Sequence, residues 1–120
     1  MYRDRKLLDL AKGETCLLQI SFKCLYDEGS TTVAAHANLL ETGKGKGLKS
    51  EDCYSVWACY HCHAKLDQGN MNYEDAERAF WNAFQRQVDK WYEIAENPCV
   101  KPWKQEAAQK VLDYLKEQNA

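Results

Sequence analysis

The sequence predicts an α+β fold, a small cysteine-rich module with two added C-terminal α-helices. Three observations predict it. All six glycines, all three histidines and five of the six cysteines lie at or before Gly69. Two β-prone stretches in that half precede a Cys-x-x-Cys turn. From Asn72 onward the apolar residues recur at helical spacing. A chain of 120 residues, 45% apolar and 28% charged, suits one domain with a modest core and excludes wholesale disorder. The expected division is a module over residues 1–70 and a helical extension over 71–120 packed on it, forming one compact domain.

In chain order, residues 4–12 read as a short helix with Leu7, Leu8, Leu10 and Ala11 partly on one face, ended by Gly13. Asp27-Glu28-Gly29-Ser30 reads as a turn. Thr31 to His36 is a strand candidate, and Tyr54 to Ala58 is a second that runs directly into Cys59. Between them, Thr42-Gly43-Lys44-Gly45-Lys46-Gly47 reads as a basic loop. Asn72 with Asp75 resembles a helix N-terminal cap, followed by Ala76, Phe80, Ala83, Phe84, Val88, Trp91 and Ala95 along one face. Asn97-Pro98 stops that helix, and Pro102 starts another along Trp103, Ala107, Val111 and Leu115. Both stripes read as core or mutual packing rather than as a cofactor site.

Sixteen basic against eighteen acidic residues give a net charge of −2, so bulk charge does not make this a polybasic nucleic-acid or membrane binder. No apolar run approaches a membrane span, and the N-terminus lacks the pattern of a secretory signal. A cytoplasmic location with no membrane partner is the expectation. In a reducing compartment, six cysteines read as metal ligands or buried thiols rather than as a disulfide framework.

Cys59-Tyr60-His61-Cys62-His63 carries the strongest local signal. Two cysteines separated by two residues form a tight turn whose thiolates grip one zinc ion, and a tetrahedral site needs two more ligands. Cys16 and Cys24 upstream are the natural second pair. A closed four-cysteine site is structural, and it offsets the shortage of apolar core in the first half. Cys53 and Cys99 are left over and read as buried, inert thiols.

His63 follows the turn where the chain should become helical, and Asp67 four residues on would share its face. An imidazole and a carboxylate with open positions suit a catalytic divalent ion, Mg²⁺ or another. His36 ends the first strand. If the two strands pair, His36 faces the helix that carries His63. A neutral histidine opposite a bound ion is what phosphodiester hydrolysis needs: the imidazole takes a proton from water while the ion stabilises charge on the phosphate.

This order of parts, His36, the loop, the second strand and Cys59-x-x-Cys62-His63, resembles the HNH nucleases of the treble-clef or ββα-metal kind. More narrowly, Lys6-Leu7-Leu8 with Gly13-Glu14-Thr15-Cys16, the segment Thr32 to His36, and Ala58-Cys59 with Cys62-His63 and Asp67 look like the YbcO-like family of phage and prophage proteins, over roughly residues 5–69. The resemblance implies that His36 is the general base, that His63 is a ligand of the catalytic ion, and that the four cysteines hold the structural zinc. Three positions depart from the pattern. Ala35 stands where an acidic residue or histidine is usual before the base, with Asp67 supplying the missing ligand by helical spacing. Tyr54 and Ser55 occupy the region of the usual asparagine, with Asp52 as its stand-in. Lys65 is displaced from the usual lysine.

Lys44, Lys46 and Lys49 in the glycine-rich loop are candidate phosphate contacts, with Arg5, Arg3 and Lys6 as a second cluster. The expected function is therefore a metal-dependent DNA endonuclease of phage or prophage type, with a homodimer through the C-terminal helices as a further expectation. The alternatives are a catalytically inactive, zinc-stabilised DNA-binding or adaptor protein, and a protein-interaction module that never meets nucleic acid.

Overall fold

The computed structural model describes residues 1–37, 51–67 and 71–119. The chain opens with helix α1, Arg5–Asp9, capped by the Asp4 side chain, which accepts from the Lys6 N–H at 3.0 Å. The expected helix over 4–12 is shorter than that: beyond Asp9 it loosens into turns that end at Gly13, where φ is +77°. Residues 14–32 form no regular element and carry two of the cysteines. Gly13 and Gly29 close off this stretch. A Cβ on Gly29 (φ +82°) would sit 2.7 Å from the Gly13 carbonyl oxygen, so only glycine fits there.

Strands β1, Val33–His36, and β2, Ser55–Ala58, pair antiparallel, with Val33 opposite Ala58 and His36 opposite Ser55. Every residue of β2 is buried. Val56 and Ala58 face a core built around the cysteines, and Trp57 faces a second core on the other side. Helix α2, Tyr60–Asp67, follows β2 with one intervening residue, Cys59.

Helix α3, Tyr73–Glu96, starts at Asn72, whose side chain accepts from the Asp75 N–H at 2.8 Å. Ala76, Phe80, Ala83, Gln87 and Trp91 are its buried residues, spaced by three or four. Helix α4, Pro102–Gln118, begins on Pro102 and buries Ala107, Ala108, Val111, Leu112 and Leu115. The apolar stripes of both helices are used inside the chain. Ala76, Phe80 and Ala83 complete the core around the cysteines. Trp91 and the α4 stripe join Tyr2, Leu7, Leu10, Ala11 and Trp57 in the second. Gln87 crosses between them: buried among apolar groups, its Oε1 accepts the Trp57 N–H at 2.9 Å and fastens β2 to α3.

Candidate active site and metal centre

Cys16 leaves the turns after α1, Cys24 closes a turn that starts at Ser21, Cys59 ends β2, and Cys62 sits in the first turn of α2. These four sulfurs lie within 4.8 Å of one another. A tetrahedral ion with bonds of about 2.3 Å to sulfur sets neighbouring sulfurs roughly 3.8 Å apart, so the cluster has the dimensions of a zinc site. The backbone agrees. Ile20 N–H donates to Cys62 Sγ, Leu25 N–H to Cys59 Sγ and Tyr26 N–H to Cys24 Sγ, each at 3.4 Å. A sulfur that receives such bonds is stabilised as the thiolate, the form that binds metal.

Burial alone pushes the Cys59 thiol up. The N–H groups of Leu25 and Cys62, with the Cys62 and Cys16 side chains, overcome it and bring the thiol down to about 7. In Cys62 and Cys24 burial wins and raises the thiol. The donor set and its spacing fit a metal ion, and zinc suits four sulfurs. Among the described residues this is the only cluster of three or more such ligands.

Cys53 is buried, and burial with the nearby Glu51 carboxylate pushes its thiol up to about 12, which makes it inert. Cys99 does not match the buried thiol expected of it. It lies exposed in the turn between α3 and α4, where Pro98 and Val100 as sequence neighbours gave no sign of its exposure.

At the other end of the strand pair, His36 Nε2 meets Asp52 Oδ1 at 2.8 Å. Among the described residues, Nδ1 of the same ring has no hydrogen-bond partner. The ring is partly exposed while the Asp52 side chain is buried. A carboxylate at Nε2 holds the proton on that nitrogen and leaves Nδ1 as the proton acceptor. His36 is thus engaged by the residue before Cys53, not by a side chain of α2, the helix it was expected to face.

On α2, His63 Nε2 meets Asp67 Oδ2 at 2.9 Å, one helical turn away, and both side chains are about one-third exposed. That hydrogen bond raises the His63 ring above its usual range, against the opposing effect of burial. Arg5 is exposed and lies 3.9 Å from Asp9, a weak surface pair. Arg3, expected beside Arg5 and Lys6 as a phosphate contact, is exposed and places Nη1 3.5 Å from Asp52 Oδ1. The expectations for Lys44, Lys46 and Lys49 fall outside the described residues.

A protein family described as "Putative nuclease YbcO" matches residues 5–96. The chain belongs to that family. Searches of curated proteins and of solved structures returned no match. Membership in the YbcO family supports nuclease activity, hence a nucleic-acid substrate, and the match reaches further than the 5–69 expected from motifs. It takes in α3, which is consistent with packing: Ala76, Phe80 and Ala83 cover the cysteine core directly. Among the described residues no helix is long and apolar enough to cross a membrane.

Two groups that bear on the site were not legible in the YbcO-like motifs. Arg86 on α3 donates from Nε and Nη2 to the Leu17 carbonyl at 3.0 and 2.7 Å, fixing the segment that follows Cys16. Asp52 stands in the sequence only as a substitute for the usual strand asparagine, and its contact with His36 across sixteen positions leaves no periodic trace.

Proposed function

We propose that this YbcO-family protein is a metal-dependent DNA endonuclease of the HNH type, on a treble-clef or ββα-metal module, with one structural zinc held by Cys16, Cys24, Cys59 and Cys62. The observation that carries the reading is the His36–Asp52 pair. It gives an imidazole with a carboxylate on one ring nitrogen, no hydrogen-bond partner on the other among the described residues, and a partly exposed edge, at the end of the strand paired with the one that leads to the cysteine turn.

In this reading His36 Nδ1 takes the proton from the attacking water, and Asp52 stabilises the imidazolium that forms. His63 and Asp67 would hold the catalytic ion, Mg²⁺ or another divalent cation, in place of the hydrogen bond that joins them. Two protein ligands suffice for a magnesium-like ion that keeps several waters and takes the rest from phosphate. When bound, that ion supplies charge stabilisation at the scissile phosphate and the leaving oxygen. Arg5, exposed at the start of α1, supplies phosphate attraction without sequence choice.

The test is cleavage of supercoiled plasmid in the presence of Mg²⁺ or Mn²⁺ by the zinc-loaded protein. Wild type should nick or linearise the plasmid. His36→Ala should lose at least about 100-fold in rate while keeping its zinc and its thermal unfolding midpoint. A wild-type protein that retards DNA on a gel yet cuts nothing with any divalent ion is a DNA-binding or adaptor protein, and the endonuclease reading is then wrong.

A further inference from the structure

Apart from His36, the groups that hold Asp52 come from outside the stretch shared with the YbcO family. Three donors converge on its buried carboxylate. Oδ1 faces His36 Nε2 at 2.8 Å and Arg3 Nη1 at 3.5 Å, and Oδ2 accepts the Asp4 N–H at 2.8 Å. The Asp52 N–H donates to the Tyr2 carbonyl at 3.0 Å. One residue earlier, Glu51 Oε1 accepts both the Tyr2 N–H at 2.7 Å and the Tyr114 hydroxyl at 2.8 Å. The rings of Tyr2 and Tyr114 pack with centroids 4.7 Å apart. Tyr2, Arg3, Asp4 and Tyr114 all lie beyond the matched residues 5–96.

We propose that residues 2–4 and Tyr114 of α4 form a clasp that fixes Glu51 and Asp52 and, through them, sets the tautomer and orientation of His36. The inference rests on His36 being the general base. A carboxylate can orient an imidazole only if its own position is determined by something else. Asp52 is buried and held by two backbone bonds as well as by Arg3, so its free motion is that of the clasp rather than that of a loop side chain. Glu51 joins the N-terminal segment to α4 on one oxygen, which makes α4 part of the support for a ring on β1. Misplacing a reacting group by about 1 Å costs on the order of 100-fold in rate, so a support of this kind has kinetic consequences even though it touches no substrate. Asp52, Glu51, Arg3 and Tyr114 are accordingly positioning residues.

The test combines ring-nitrogen NMR of His36 with cleavage kinetics on zinc-loaded full-length protein. In wild type, the neutral His36 ring should carry its proton on Nε2, the nitrogen that faces Asp52. Asp52→Asn should mix the tautomers and lower kcat by about 100-fold or more, with KM for DNA unchanged. Tyr114→Phe and Glu51→Ala should broaden or shift the His36 signals and lower kcat about tenfold, again at constant KM. Glu51→Gln keeps an acceptor oxygen for both donors and should restore most of the loss, an outcome that a general stability defect does not produce. Unchanged His36 signals in Asp52→Asn, or in both Tyr114→Phe and Glu51→Ala, overturn the clasp. If wild type cuts no DNA at all, the endonuclease reading fails by itself, and the His36 tautomer in the same variants still decides whether the clasp operates.

Discussion

His63 takes its character from a neighbour one helical turn away. The Asp67 carboxylate raises the ring because it accepts a hydrogen bond from the charged form, and burial opposes it more weakly. The sign for stability follows. A histidine raised on folding contributes stability that is complete below its ordinary value, near 6.5, and is lost as pH rises through the raised one. A divalent ion competes with the same proton, so ion binding should strengthen as pH rises through that raised value. Asp67→Asn should bring the His63 titration, followed by NMR in the zinc-loaded and magnesium-free protein, back toward or below 6.5 and weaken Mn²⁺ binding. A titration unmoved by this change counts against the pairing. The His63–Asp67 pair was legible because a helix brings residues four apart together whatever surrounds them. The His36–Asp52 pair was not, because its partners meet only through strand pairing and an N-terminal segment that folds back onto Glu51 and Asp52.

At the level of elements, the long C-terminal helices were the most readable part. Their caps and stripes obey local rules, and Asn72, Ala76, Phe80, Ala83, Trp91 and Pro102 all stand where those rules put them. Phe80 is fully buried between α3 and the cysteine core, so Phe80→Ala should cost about 3–5 kcal/mol in urea unfolding. A loss below about 1 kcal/mol would mean that α3 does not cover that core. What escaped the sequence was the polar stitching between elements. A glutamine at position 87 inside an apolar stripe reads as an interruption. It is instead the acceptor for an N–H of a strand buried on both faces, a need that appears only once β2 is enclosed. The strands themselves were legible in place and slightly overestimated in length, since Thr31, Thr32 and Tyr54 serve turns and caps: the Thr31 hydroxyl accepts the Tyr60 N–H at the head of α2.

Across the whole molecule, two cores share β2, and one of them is assembled around four sulfurs. Structural zinc contributes on the order of 10 kcal/mol to folding, comparable with the entire stability of a domain this size. Under the zinc reading, element analysis should give one zinc per chain, and stripping it with a strong chelator should collapse the thermal transition. Cys59→Ser should do the same without a chelator. A chelated protein that melts at the same temperature as the loaded one would show that burial alone holds these thiols together. The metal half of this architecture was visible in the Cys-x-x-Cys spacing. The second pair, Cys16 and Cys24, could be reached only by elimination, because the stretch between them has no regular structure to predict.

That stretch begins and ends where two glycines meet: a Cβ on Gly29 would sit 2.7 Å from the Gly13 carbonyl oxygen. Between them the chain that carries Cys16 and Cys24 is tied down at Leu17, whose N–H donates to the Trp57 carbonyl, and at Leu25, whose N–H donates to Cys59 Sγ. Half of the sulfur cage therefore lies on a stretch whose two ends must keep that close approach. One methyl group added at position 29 is the smallest change that reaches the cage without altering a ligand.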